Sequence, residues 1–238
     1  MRTVFIADAH LNQPDDVNYR QMLKFVRSQQ GQLDLLCILG DLFDFRVGLP
    51  NLAFPEHEPL LDALVDLQRS GTRLIYLEGN HDFKLGAALT RRIGAEIFPD
   101  SLVLEEQGRR LFLCHGDLAN RADWSYRLLR RTLRSPLTEA IARLVPDGLI
   151  QHVRHRLQRS SKKRYSQHRI CWDYPAMIRQ FADTVATMGC DALVLGHFHR
   201  PLFEQHGAIT IVALGDWIEQ YQYAELVDGQ FRILTFPD

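Results

Sequence analysis

Five short clusters of acidic, amide and imidazole side chains punctuate the chain. They are Asp8-Ala9-His10, Gly40-Asp41, Gly79-Asn80-His81-Asp82, His115-Gly116-Asp117 and Gly196-His197-Phe198-His199. Each closes a short apolar run, the place where open α/β sheets build their ligand sites. Alternation along an extended segment would put Asp8 and His10 on one side, and likewise His197 and His199. Glycine beside Asp41, Asn80, His115 and His197 lets backbone come close to a crowded centre. One such Asp or His is usually structural. Five clusters in this order, all at strand ends, describe a shared centre of ligating groups.

The elements that position them can be read from periodicity. Residues 2–7, 33–39, 73–77 and 110–114 are short runs rich in Val, Ile, Leu and Phe, which predicts buried strands. Residues 17–30 and 58–69 carry apolar side chains at helical spacing, as with Leu60, Leu61, Leu64 and Leu67. Strand and helix in alternation predict an α/β domain with a largely parallel sheet. After Asp191 the pattern changes to strands over 192–195, 209–214, 221–226 and 231–236, with Asp228-Gly229 as a hairpin signal.

The middle of the chain differs. Residues 121–169 hold 13 Lys or Arg against three acidic residues, a net of +10. The whole chain has 28 basic and 29 acidic residues, so the remainder has 15 against 26, a net of −11. Apolar residues in the basic segment recur at helical spacing: Leu128 and Leu129 with Leu133, Ile141 with Leu144 and Val145, then Leu149, Ile150, Val153 and Leu157. Two or three basic amphipathic helices are expected there, inserted between residues 1–120 and 170–238. Such helices suit anionic membrane surfaces, phosphorylated ligands or partner grooves.

Composition sets outer bounds. Over 238 residues, 46% hydrophobic and 24% charged content is that of a globular chain, which excludes wholesale disorder and fibrous repeats. Cys37, Cys114, Cys171 and Cys190 form no CxxC pair, and three of them sit in or beside apolar runs. That usage suits a reducing compartment. The first residues read as too short and too polar for a secretory signal, and no run approaches the roughly 20 apolar residues of a membrane span. The expectation is a cytoplasmic chain, free or peripheral on a membrane.

The order DxH, GD, GNHD, HG and GHxH resembles the calcineurin-like metallophosphoesterases, and the match spans residues 8 to 199. The resemblance implies an α/β/β/α sandwich carrying two divalent ions. Position by position, Asp8, His10 and His199 would hold one ion, and Asn80, His115 and His197 the other, with Asp41 bridging both. Carboxylate, imidazole and amide oxygen suit Mn²⁺ or Fe²⁺, with Zn²⁺ an alternative. Paired ions of this kind clamp a phosphate and activate water. His81 would then meet the phosphate as a cation or general acid, oriented by Asp82. Asp44, Asp117 and Arg200 would flank the centre.

A narrower likeness concerns the substrate. The GDLFDF stretch, the single insertion after HGD, the Ser-Ser-Lys at 160–162 and the GHFHRP ending are similar to the UDP-2,3-diacylglucosamine diphosphatase family of lipid A biosynthesis. That likeness implies hydrolysis of a pyrophosphate to UMP and a lipid monosaccharide phosphate. It also implies that residues 121–169 form a basic helical lid over the acyl chains, working at the anionic cytoplasmic face of the inner membrane. Asp123, Tyr126, Ser161 and His168 would join Asn80, His81 and His197 around the substrate. The family commonly carries arginine where this chain has His81, and lysine where it has His168. The main alternative is a metallophosphodiesterase or phosphatase acting on a soluble nucleotide or another phosphoester. A nucleic-acid enzyme is suggested by aromatic residues within the basic segment, and a metal-free scaffold would be expected to have lost ligand positions that are all filled here.

Overall fold

Thirteen strands and six α-helices emerge in the computed structural model, which describes residues 1–49, 52–120, 122–144 and 173–237. Ser161, His168 and the helices expected from Leu149 to Leu157 lie outside the described residues.

Six strands form one sheet in the order β13-β12-β1-β2-β4-β6, from β13 (Gln230–Thr235), β12 (Gln222–Val227), β1 (Arg2–Ile6), β2 (Leu35–Ile38), β4 (Arg73–Leu77) and β6 (Glu96–Phe98). Strands β1, β2, β4 and β6 run parallel, while β12 and β13 add an antiparallel edge. The second sheet runs β10-β11-β9-β8-β7, built from β7 (Ser101–Glu106), β8 (Arg109–Cys114), β9 (Ala192–Leu195), β10 (Leu202–His206) and β11 (Ile209–Ala213). Its centre is parallel and both edges are antiparallel hairpins. Two-residue strands β3 (Arg46–Val47) and β5 (Asp82–Phe83) pair beside the clusters.

Side-chain alternation explains the layering. Phe5, Cys37, Leu39, Ile75 and Leu77 face Leu111, Leu113, Val194 and Val212 of the other sheet and make the inter-sheet core. Their neighbours Val4, Ile6, Leu36, Ile38 and Leu74 face outward, onto α1 (Val17–Ser28), α2 (Glu58–Arg69) and α3 (Gly86–Ile93). Phe112, Leu193, Leu195 and Ile211 take the opposite outer face, under α6 (Tyr174–Ala186). Strands buried on both faces read as continuous apolar runs, which is why they stood out in the sequence. The result is an α/β/β/α sandwich. The hairpin expected at Asp228-Gly229 joins β12 to β13, both residues having the positive φ of a type I′ turn.

Within the basic segment, α4 (Trp124–Leu133) and α5 (Pro136–Leu144) are helical, as their spacing predicts. Asp123 caps α4, its carboxylate accepting the Tyr126 N–H at 2.9 Å. No residue of α4 is fully buried, although the Arg130 side chain is only 12% exposed.

Candidate metal centre

All five clusters meet at one end of the two sheets, in loops just beyond the strands. The extended alternation expected for Asp8 with His10 and for His197 with His199 is not what brings them together. Asp8, His10, Asp41, His197 and His199 all have left-handed backbone, with φ between 45° and 74°. They make up five of the nine non-glycine residues with positive φ among the described residues. Sparsely populated backbone of this kind persists where surrounding contacts impose it, and it gathers at functional sites. Here the contacts are between loops: Asp8 N–H donates to Gly40 O, His10 N–H to Asp41 O, and His81 N–H to Asp41 Oδ1. Gly79 lies so close to Asp41 that a Cβ would collide with its carboxylate, so no other residue fits there.

The side chains form two halves. In one, His10 Nε2 lies 3.2 Å from His199 Nε2, which is 3.4 Å from Asp8 Oδ1. In the other, Asn80 Oδ1 lies 2.9 Å from His115 Nε2 and 3.0 Å from His197 Nδ1, and the two ring nitrogens are 3.2 Å apart. Asp41 Oδ2 reaches both halves, at 3.7 Å from His10 Nε2 and 3.4 Å from His115 Nε2.

These contacts test whether the residues suit a cation. His115 Nδ1 is 2.8 Å from the Leu39 carbonyl, which can only accept, so Nδ1 carries a proton and Nε2 is the ring nitrogen that faces the centre. Asp8 Oδ1 is buried without a hydrogen-bond partner. Imidazole nitrogens, an amide oxygen and a carboxylate oxygen without a hydrogen-bond partner converge here, as the ligands of a cation do. Asp8, His10 and His199 form one group with metal-binding spacing, Asp8, Asp41 and His115 a second, and His10, Asp44 and His81 a third. The set fits divalent ions.

Electrostatics agree. Burial lowers His10 to about 3 and His197 to about 4, keeping both rings neutral. Burial acts the same way on His115 and His199, but carboxylates override it, Asp41 holding His115 up at about 10 and Asp8 holding His199 up at about 9. In turn, burial would raise Asp8 and Asp41, yet the neighbouring imidazoles hold both below the usual carboxylate range. Without a metal, protons do part of the work of a cation.

Residues 1–201 match the family of calcineurin-like phosphoesterases. The chain belongs to that family. This phosphoesterase is 33% identical to a UDP-2,3-diacylglucosamine hydrolase of Stenotrophomonas maltophilia, over 99% of this chain and 98% of that one. It is 32% identical to one from Aeromonas hydrophila, over 98% of each chain, and 29% identical to one from Photorhabdus laumondii over the full length of both. Among solved structures an archaeal phosphodiesterase shares the fold, with a TM-score of 0.51 at 13% identity, covering 99% of this chain and 100% of that one. Members of the family use divalent metal ions, and this phosphoesterase is a metal-dependent hydrolase of phosphoesters.

Around the centre, one expectation needs correction. Asp82 does not orient the His81 ring. Its carboxylate is buried and turned to the backbone, accepting N–H groups of Asp41, Leu42 and Gly79 at 2.8–2.9 Å and the Tyr76 hydroxyl. Burial and the Asp41 charge push Asp82 up to about 7, so the gathered donors are what favour its ionised form. The His81 ring is set by Asp44 instead: Nδ1 donates to the Asp44 carbonyl at 2.8 Å and lies 3.8 Å from its carboxylate.

Asp117 accepts the Tyr126 hydroxyl and Arg130 Nε at 2.8 Å, while Arg200 stacks over Tyr174. Sequence reasoning missed Asp216. It lies 3.7 Å from His199 Nδ1 and accepts backbone N–H groups from Ile218 and Glu219. Burial would raise its carboxyl, but those bonds and His199 hold it down. The signal was present, since Gly215-Asp216 follows strand β11 just as Gly40-Asp41 follows β2. Tyr76, inside an apolar run, carried no such signal, and Glu78 stands next to the Gly79-Asn80-His81-Asp82 cluster without being part of its pattern.

Proposed function

We propose that this phosphoesterase hydrolyses the pyrophosphate of UDP-2,3-diacylglucosamine, releasing UMP and 2,3-diacylglucosamine 1-phosphate for lipid A biosynthesis. The observation that carries the reading is a juxtaposition. A two-part metal-donor cluster sits beside a helix that leaves Trp124, Leu128 and Leu129 exposed, and full-length relatives bear the name UDP-2,3-diacylglucosamine hydrolase.

In this reading Asp8, His10 and His199 hold one ion, Asn80, His115 and His197 the second, and Asp41 both, with Mn²⁺ as the native metal. Bound there, such ions supply Lewis-acid polarisation of a phosphoryl oxygen and an activated water nucleophile. The protein's own groups do the rest. With Nδ1 committed to the Asp44 carbonyl, His81 presents Nε2 to the phosphate or the departing oxygen. Asp82 fixes the loops that carry Asp41 and Asn80. Asn80 and His197 would also border the phosphates, and Asp123, Tyr126, Ser161 and His168 the sugar side.

Residues 121–169 serve as the lid, between core segments 1–120 and 170–238. Trp124, Leu128, Leu129, Leu137 and Ile141 are exposed on α4 and α5. An open hollow of about 830 Å³ lies beside Leu128, lined in part by Leu118, Leu128 and Pro136 with Asp100, Arg127 and Arg131. Apolar wall and guanidinium rim suit an acyl chain and a phosphate. No helix among the described residues is long and apolar enough to cross a membrane. We place the enzyme on the cytoplasmic face, its exposed apolar side chains and arginines meeting an anionic lipid surface.

The deciding experiment compares turnover of UDP-2,3-diacylglucosamine with that of simple phosphodiesters in Mn²⁺, with products identified. Strong preference for the lipid substrate and release of UMP are expected. Equal or better turnover of a soluble diester would overturn the reading in favour of a soluble-substrate phosphodiesterase.

A further inference from the structure

The segment between Glu78 and Lys84 carries Asn80, and four of its residues hold a single turn of the inserted helices. Arg134, just after α4, donates through one amino group to Glu78 Oε2 at 2.9 Å and to the Pro99 carbonyl at 2.7 Å. Through the other it donates to the Gly79 carbonyl at 2.8 Å. Its guanidinium lies 5.6 Å from the centroid of the Phe83 ring. Lys84 Nζ donates to the Ser135 carbonyl at 3.0 Å.

Both ends of this seam are well enclosed. The Arg134 side chain is 14% exposed and that of Glu78 5%. The second Glu78 oxygen accepts the Leu85 N–H at 2.7 Å, so the carboxylate ties one side of the loop to the other. The Gly79 carbonyl belongs to the peptide that leads into Asn80. On its other side Gly79 donates its N–H to Asp82 and abuts Asp41. Gly79 is therefore held on both sides, the peptide before it by Asp82 and the peptide that leads into Asn80 by Arg134. Asn80 follows one residue later, with Oδ1 between His115 and His197.

From this geometry we infer that Arg134 is a positioning residue for the metal centre. The inserted helices thereby form a structural part of the Asn80–His115–His197 half as well as a cover. A guanidinium is needed because it is planar and donates in several directions at once, which the single ammonium of lysine does not match. The inference rests on the assignment of Asn80, His115 and His197 as ligands, but not on the identity of the substrate.

The test is Mn²⁺ titration of metal-stripped protein by calorimetry, with kcat and KM for a small chromogenic phosphodiester measured alongside. Arg134→Met should weaken one class of Mn²⁺ site by about 10–100-fold, the range for groups that orient a ligand, and spare the other. For the small diester kcat should fall with KM little changed, although that substrate is too small to need a lid. Arg134→Lys should restore only part of the affinity. Unchanged Mn²⁺ affinity in folded Arg134→Met would overturn the inference.

Loss of Arg134 strands the Glu78 carboxylate, so Glu78→Met/Arg134→Met supplies the control for a folding defect. If the double variant regains thermal stability but not Mn²⁺ affinity, the positioning role stands. If it regains both, Arg134 merely neutralised Glu78 and the inference fails. Asn80→Ala separates the two readings: should it leave both Mn²⁺ sites intact, the ligand assignment itself is wrong.

Discussion

Helices α1 and α4 have similar lengths and both mix basic with apolar residues, yet they are held in opposite ways. Helix α1 buries Tyr19, Met22, Phe25 and Val26, with the Phe25 ring 4.8–5.3 Å from the rings of Trp217, Tyr223 and Phe236. Helix α4 leaves Trp124, Leu128 and Leu129 in solvent and is fastened by polar groups, Arg130 to Asp117 and Asp100 and Tyr126 to Asp117. The first attachment is solvent exclusion, which is non-directional and adapts to small shifts. The second is directional and places arginines where they touch the loops of the metal centre. One region builds the platform, and the other is aligned with the site on it.

The largest effect should come from the platform's own centre. Asp41→Asn is expected to abolish detectable turnover and reduce bound metal, because one carboxylate serves both halves; elemental analysis alongside a phosphodiester assay checks this. Full metal content with lost activity would mean that Asp41 does not ligate.

Next, His81→Ala should lower turnover by about 10²–10⁴-fold, the usual contribution of a general acid or base, while metal content stays intact. Loss of an ion with the side chain would move His81 into the ligand set with His10 and Asp44.

For the packing arm of the comparison, Phe25→Ala should cost about 3–5 kcal/mol in urea unfolding, the range for a large buried aromatic. A cost under about 1 kcal/mol would show that the aromatic cluster can collapse onto the gap.

Metal uptake should depend on pH with a definite sign. His115 and His199 are held up at about 10 and about 9 without metal, so near neutrality a proton must leave each before its lone pair can ligate. Affinity should rise with pH up to those values, by about tenfold per pH unit for each proton displaced. Titrations in two buffers of different ionisation enthalpy would reveal the released protons, and equal heats in both would contradict the assignment.

The smallest stability change is expected on the insert. Leu128→Ser should shift unfolding by no more than about 0.5 kcal/mol, as for an exposed position, while lowering the ratio of long-chain to short-chain substrate turnover. A large loss of stability would place Leu128 in a packed core and erase the contrast with α1.

Local pattern determined much of this protein on its own. The buried strands are continuous apolar runs, α1 and α2 follow from 3.6-residue spacing, and the five clusters fall at strand ends because that is where chain leaves the sheets. The types of metal donor were therefore legible, as was the basic character of the insert. Tertiary structure alone decided how these parts use one another. Asp82 looked like a partner for the histidine beside it, but its carboxylate collects N–H groups of the Asp41 loop, some 40 positions away in sequence. Asp216 joins His199, and Arg134 reaches Glu78 and Gly79 from another segment of the chain. Asp and His tolerate left-handed backbone better than most residues, but that Asp8, His10, Asp41, His197 and His199 adopt it is set by contacts between loops. Periodicity reports which face of an element is apolar, whereas the partner of a buried polar group is set by where distant chain returns to satisfy it.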